Sequence, residues 1–394
     1  MTPLDGLARR ALARRLARLR SGSLLIEDGP AVQAFGAGAP AARLTVRDAR
    51  FYRAVTFGGH LGAAESYLDG WWTSDDLTAL VQVLVRNRDV LAGLEDGLAR
   101  VAAPLRRIAH ALNRNNRRGS RRNIQAHYDL GNAFFREFLD ETLTYSCAFF
   151  EHPDSTLRDA SIAKYDRICR KLELDRTHRV LEIGTGWGGF ALHAAGVYGC
   201  HVTTTTISRE QHALARERIA AAGLADRVTV LDRDYRDLTG QFDRLVSIEM
   251  IEAVGHAYYD VFFRQCAALL APGGRMAVQA ITILDRYYDA ARREVDFIKR
   301  YIFPGSNIPS AGVLRDAATR AGLGMEHVEE IGPHYVETLK RWRQNFLGRW
   351  DRIRAMGFDE EFRRLWEFYF CYCEGGFRAG VLNDVQMVFA REAP

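Results

Sequence analysis

The sequence lacks the features that mark metal-binding, secreted and membrane-spanning proteins. Six cysteines (Cys147, Cys169, Cys200, Cys266, Cys371, Cys373) are scattered along 394 residues. None forms a pair that faces a second pair at zinc spacing, and Cys371 and Cys373 make an isolated C-x-C, so no metal site is expected. No run of about 18 apolar residues occurs, which argues against a transmembrane helix. No apolar signal-peptide segment opens the chain, so the expected compartment is a reducing cytoplasm with free thiols. Neither sign of charge dominates: 54 Lys and Arg against 49 Asp and Glu leave a formal +5, so the placement of charge matters more than its total. With 47% hydrophobic and 26% charged residues, the chain reads as globular. Its length suits two domains, or one large domain with a lobe.

One more absence is informative. The stretch Val180–Phe190, VLEIGTGWGGF, reads as a buried parallel strand, a turn crowded by Gly184, Gly186, Gly188 and Gly189, and the start of a helix. The next strand, His201–Ile207, ends in threonines and Ser208 where a dinucleotide fold places an acid. That weakens a nicotinamide cofactor and suits a nucleoside ligand without a pyrophosphate. The spacing E-x-G-x-G-x-G resembles the first motif of class I methyltransferases, which bind S-adenosylmethionine.

Taken in order, residues 7–20 read as a helix with Leu12, Leu16 and Leu19 on one face and six arginines around the rest. A solvated helix docked on the body, a basic amphipathic helix at an anionic membrane and an organelle transit peptide all share that composition. Residues 23–60 read as short strands, SLLIEDG, AVQAFG, ARLTVRD and FYRAVTFGG. Residues 61–88 turn helical, with Trp71 and Trp72 expected in the core and Ser74, Asp75 and Asp76 at a helix N-terminus. Residues 1–111 therefore form a smaller N-terminal α+β accessory domain. Residues 112–123, with five arginines and no acid, are a basic linker. A phosphate-contacting strip is the sharper alternative. Nucleic acid is not expected, because aromatics are not interleaved with these arginines. Residues 124–150 are rich in aromatics: Phe134, Phe135 and Phe138 at helical spacing suggest core, while His127, Asp129, Asn132 and Cys147 suggest a pocket lid. From 179 onward, strands alternate with helices, which predicts a doubly wound parallel sheet whose ligand lies beyond the carboxyl ends of the strands. Residues 282–345 read as an insertion walling the pocket, and Val385–Arg391 as a last antiparallel strand at the sheet edge.

Together these residues resemble the cyclopropane-fatty-acyl-phospholipid synthases and the related mycolic acid cyclopropane synthases. The motifs are Tyr128-Asp-Leu-Gly-Asn132, Thr144-Tyr-Ser-Cys-Ala148, Glu182-Ile-Gly-Thr-Gly-Trp-Gly188, Thr206-Ile-Ser208 with Glu210 and Gln211, Asp234-Tyr235, Met250-Ile-Glu252, Lys299-Arg-Tyr-Ile-Phe-Pro304 and Tyr335. The resemblance implies a class I methyltransferase domain over 124–394. It also implies transfer of a methylene unit from S-adenosylmethionine to the cis double bond of a phospholipid acyl chain. The work would be done at the inner face of a membrane by a peripherally bound cytoplasmic protein, and a homodimer is an expectation.

By position, the resemblance implies that Tyr145, Ser146, Glu182, Gly184, Gly186, Gly188, Thr206, Ile207, Ser208, Gln211, Asp234 and Tyr235 hold the cofactor. It further implies that Cys147, Glu252, Ile281 and Tyr335 line a bicarbonate that serves as base. Two positions depart from the family. Gln279 replaces a histidine of the bicarbonate site, and Glu249 stands where glycine is usual. A carboxylate there should repel an anion unless it is protonated or points away. Removal of a different proton would leave a methyl- or methylene-branched chain instead of a ring. A lipid-binding protein without turnover and a small-molecule methyltransferase are the remaining alternatives.

Overall fold

The computed structural model describes residues 2–91 and 130–392. The basic strip 112–123, the expected domain border at 111 and the lid residues His127 and Asp129 lie outside them. The chain groups into two compact units. One takes the described residues of Met1–Leu112 with Glu294–Ile302 and Trp342–Val381; the other takes those of Asn113–Arg293, Phe303–Arg341 and Leu382–Pro394.

The first unit opens with a helix, Pro3–Leu16. Thr2 and Asp5 form a capping box that satisfies two otherwise unpaired amides, and Pro3 occupies the first turn, where no N–H is needed. Leu12 and Leu16 are buried, as their spacing predicts, but Leu19 falls beyond the helix end. Strands β1 (Gly22–Asp28), β2 (Ala31–Ala37), β3 (Ala41–Val46) and β4 (Trp72–Ser74) form a sheet in the order β2-β1-β3-β4. The stretch expected as a fourth strand, FYRAVTFGG, is instead part of a helix, Arg50–Leu68. Its aromatic and β-branched residues favour a strand, yet Phe51, Tyr52 and Val55 are buried at helical spacing, and packing of that face overrides propensity. Trp72 is core, and its indole N–H donates to Ala63 O at 3.0 Å. Trp71 instead lies under the Arg50 guanidinium, 4.4 Å from the ring centre. Asp76 caps the helix Leu77–Arg86, accepting from Ala79 N at 2.8 Å. Against that helix lies the helix Glu360–Arg378. A Cβ on Gly375 would come within 2.6 Å of Val81, so glycine permits this approach.

The second unit holds a seven-stranded sheet in the order β10-β11-β9-β8-β5-β6-β7. Its strands are β5 (Arg179–Ile183), β6 (His201–Thr206), β7 (Val228–Asp232), β8 (Phe242–Ile248), β9 (Leu270–Ile283), β10 (Leu323–Glu330) and β11 (Leu382–Arg391). β5 to β9 run parallel, with helices between them except for a single short turn, Tyr235–Asp237, between β7 and β8. The chain runs β5-β6-β7 outward, then returns to place β8 on the other side of β5. The carboxyl end of β5 is therefore the switch point where such sheets bind ligands.

Two expectations at the far edge need correction. β11 does not close the sheet: it pairs antiparallel with both β9 and β10, and Val385 to Phe389 are buried as an interior strand requires. The edge belongs to β10, inside the stretch expected as an irregular insertion. Its residues from Gly324 to Glu330 are largely exposed. An edge strand with most of its side chains in water shows no apolar alternation to read, although Leu323 is buried and Glu329 is bonded to Arg167 and Lys171.

Candidate active site

The glycine turn after β5 has left-handed backbone at Gly184, Gly186 and Gly188, with φ of +103°, +52° and +85°. The amides of Gly184 and Thr185 both donate to Thr205 O at 3.1 Å, which ties the turn to β6. A Cβ on Gly186 would meet nothing within 4 Å, so the space beside this backbone is open to a ligand. A Cβ on Gly189 would lie 2.5 Å from the Tyr165 hydroxyl, so that glycine serves packing.

At the end of β6, Thr206 Oγ1 donates to Gln211 Oε1 at 2.9 Å and accepts from Ser208 N at 3.1 Å. Ser208 in turn caps the helix Arg209–Ala221. Together they fix the orientation of the Gln211 amide, a group able both to donate and to accept toward a ribose. Beyond β7, Asp234 is bonded to the Arg236 guanidinium at 2.6 and 2.8 Å, and Tyr235 packs edge-on against Phe262. Ile207 lies between Thr206 and Ser208, so these residues gather along the carboxyl ends of β5, β6 and β7. This open cradle has room for S-adenosylmethionine, and Gly184, Gly186, Thr206, Gln211 and Tyr235 are the residues that could hold it.

Three expected cofactor residues have other work. Glu182 is buried on β5, accepts from Thr204 Oγ1 at 2.6 Å, and is pushed up to about 8 by burial. Ser146 accepts from the buried Lys164 ammonium at 2.6 Å. Tyr145 joins an aromatic cluster with Phe135 and Phe138, at 5.4 and 5.9 Å between ring centres. The same aromatic stretch is tied to the glycine turn, because Trp187 Nε1 donates to Asn132 Oδ1 at 2.6 Å.

The acid end of the site converges on one residue. Glu249 directly follows β8 with φ of +45°, in the backbone region that favours glycine. Its side chain does not point away. Oε1 accepts from Cys147 N at 2.7 Å and from Gln279 Nε2 at 2.9 Å, while Oε2 accepts from the Tyr335 hydroxyl at 2.6 Å. Beside it, Glu252 Oε1 accepts from Ile281 N at 2.5 Å. Burial, and then the Glu249 charge, push the Glu252 carboxyl up to about 8. The five residues expected around a bicarbonate thus come together, but three of them are bonded to a carboxylate of the chain itself. The site as built does not fit the bicarbonate.

Three members of this cluster were not singled out from the sequence. The second hydrogen of Gln279 Nε2 reaches Asp384 Oδ2 at 2.9 Å, and Gln279 Oε1 accepts from Gln386 Nε2 at 3.1 Å. Burial first, then the facing Glu249 charge, raise Asp384 well above the carboxylate range. Lys164 is fully buried, and burial lowers it to about 8. The signals were slight: Asp384 and Gln386 recur at period two in an apolar strand, and Lys164 lies on the buried face of its helix with Ser161, Tyr165 and Ile168. Cys147 need not be a nucleophile. Burial raises its thiol, which donates to Ala148 O at 3.2 Å.

Residues 115–387 match the family model described as mycolic acid cyclopropane synthetase. The chain is 40% identical to the tuberculostearic acid methyltransferase UfaA1 of Mycobacterium tuberculosis, over 97% of this chain and 91% of that one. It is 38% identical to the cyclopropane-fatty-acyl-phospholipid synthase of Escherichia coli, over 90% of this chain and 89% of that one. Among solved structures, the mycolic acid cyclopropane synthase CmaA1 complexed with SAH and CTAB superposes with a TM-score of 0.65 at 33% identity, covering 68% of this chain and 98% of that one.

Proposed function

Because the chain belongs to the mycolic acid cyclopropane synthetase family and is a methyltransferase dependent on S-adenosylmethionine that modifies lipid acyl chains, we propose that it C-methylates the cis double bond of phospholipid acyl chains and leaves an unsaturated methyl or methylene branch. The observation behind the branch is the Glu249 carboxylate, seated on Cys147 N, Gln279 and Tyr335. The similarity that spans 97% of the chain is to a relative named as a tuberculostearic acid methyltransferase, which supports the same reading.

Bound S-adenosylmethionine supplies an electrophilic methyl group on a sulfonium. The alkene is a weak nucleophile, so the chain must orient the two and exclude water. The turn at Gly186 admits the nucleoside, and the ordered Gln211 amide holds the sugar. Attack by the alkene forms a carbon–carbon bond, breaks the carbon–sulfur bond and leaves positive charge on the acyl chain. The partly exposed Tyr145 ring, packed on Phe135 and Phe138, offers an aromatic face that stabilises such a charge. Loss of one proton restores neutrality and keeps one unsaturation in the product.

A ring remains the second reading. It is favoured by the relative named as a cyclopropane synthase and by the retained Cys147, Glu252, Ile281 and Tyr335. Docking at an anionic membrane is part of the proposal. Leu4 and Leu7 are 45% and 57% exposed on the first helix, which also carries the exposed Arg10 and Arg14. Among the described residues no helix is long and apolar enough to cross a membrane. The test is incubation with methyl-labelled S-adenosylmethionine and vesicles of cis-unsaturated phospholipid, followed by proton NMR of the acyl chains. Label in a branch carbon beside a retained double bond is expected, read apart from the vinyl protons of unreacted lipid. High-field ring protons would establish the second reading, and label confined to aqueous acceptors would refute both.

A further inference from the structure

We propose that the Glu249 carboxylate is the catalytic proton acceptor of this chain and that the reaction proceeds without bicarbonate. The inference rests on acyl-chain methylation as the reaction. The three donors that would hold an external anion all point at Glu249: a backbone amide at 2.7 Å, a carboxamide at 2.9 Å and a phenol at 2.6 Å. A second anion would have to displace a covalently tethered one and then lie beside its charge. Glu249 adopts a left-handed backbone that a β-carbon disfavours, and the donor set defines where its oxygens rest.

The replacement of a histidine by Gln279 fits the same account. A neutral imidazole has a single N–H, and an imidazolium carries its two on separate nitrogens, whereas the Gln279 amide offers two hydrogens from one atom. It uses them on Glu249 Oε1 and Asp384 Oδ2, both at 2.9 Å. Gln386 fixes the amide the right way round by donating to its oxygen at 3.1 Å. Gln279 and Asp384 are thus positioning residues for Glu249. Asp384 in its neutral form also has an O–H facing the Glu249 carboxylate. Lys164, buried within this same acid cluster, offsets part of the negative charge.

The step balances within the chain. A C–H bond next to the cationic carbon breaks, its proton passes to a Glu249 oxygen, and its electron pair forms the new carbon–carbon π bond of a methyl-branched alkene; a methylene branch forms in the same way once a 1,2-hydride shift has moved the cation to the methylated carbon. Glu249 is left as a neutral acid and re-ionises to solvent after product release. No oxidant or reductant is required.

The test uses the full chain, S-adenosylmethionine and cis-unsaturated phospholipid vesicles, in buffer purged of carbon dioxide and again with added bicarbonate. Wild type should turn over equally in both. Glu249→Gly should lose about 100-fold or more in purged buffer, a typical general-base loss, and regain activity when bicarbonate fills the vacated donors. Glu249→Gln should lose as much and regain nothing, since its amide still fills the space. Binding of S-adenosylhomocysteine by calorimetry shows that each variant is folded. Wild-type transfer that requires bicarbonate, or an undiminished Glu249→Gly in purged buffer, overturns this proposal alone. Absence of transfer to any lipid by wild type under both conditions overturns the acyl-methylation reading and this proposal with it.

Discussion

The Gln279 carboxamide donates to Asp384 Oδ2 at 2.9 Å while its other hydrogen reaches Glu249. One side chain therefore holds two acids of unlike character at a fixed separation. Removing the second acid should disturb the first without touching the cofactor. Asp384→Asn is expected to lower kcat about tenfold or more, since a small misplacement of a reacting group costs up to about 100-fold. The KM for S-adenosylmethionine should stay unchanged. Steady-state kinetics with both substrates varied checks the split.

Tyr335 makes the 2.6 Å bond to Glu249 Oε2. A hydrogen bond to a charged group contributes about 1.5–3 kcal/mol, so Tyr335→Phe should lower kcat by roughly 10- to 100-fold with little change in melting temperature. Rate and thermal denaturation measured on the same preparation test this.

The buried acids and lysine give opposite pH slopes. Glu252 rises from an ordinary 4.5 to about 8 on folding. Between those values the folded state keeps a proton that the unfolded state has lost, so stability falls as pH rises. Lys164 drops from 10.5 to about 8. Between 8 and 10.5 the unfolded state holds the extra proton, so stability rises with pH. This pair therefore contributes a stability minimum near pH 8. Urea midpoints from pH 5 to 10 should show the falling limb flattened in Glu252→Gln and the rising limb flattened in Lys164→Met.

Two glycines three positions apart should respond differently. Gly186→Ala adds a methyl to open space at φ +52°. It should cost about 1–2 kcal/mol of backbone strain and weaken S-adenosylmethionine binding several-fold. Gly189→Ala drives a methyl to 2.5 Å from the Tyr165 hydroxyl. Overpacking of about 1–3 kcal/mol should lower the melting temperature, with binding intact in whatever remains folded. Calorimetric titration beside a melting curve separates the two.

The central sheet was legible because its signals are local. A glycine turn, apolar strands and capped helices such as Thr156 with Asp159 and Ser208 with Gln211 mark β5 through β9 in order. FYRAVTFGG misled because aromatic and β-branched residues favour strands, while the burial that makes it a helix comes from tertiary packing. β10 was invisible because Glu326, Glu329 and Glu330 erase any alternation, the first and last exposed and Glu329 bonded to Arg167 and Lys171. The site was legible at its motifs. The direction of the Glu249 side chain was not: whether a carboxylate repels an anion or takes its place depends on Cys147, Gln279 and Tyr335, which lie 102, 30 and 86 residues away. Asp384 and Lys164 were missed for the same reason, since a single polar residue in an apolar pattern does not name its partner.

The most direct measurement is proton NMR of acyl chains treated with wild type and with the double variant Glu249→Gly, Gln279→His supplied with bicarbonate. A new branch-carbon signal beside a retained double bond from wild type, beyond the vinyl protons of the substrate itself, and high-field ring protons from the double variant are the predicted pair. Ring protons from wild type would contradict the assignment of the branch to Glu249.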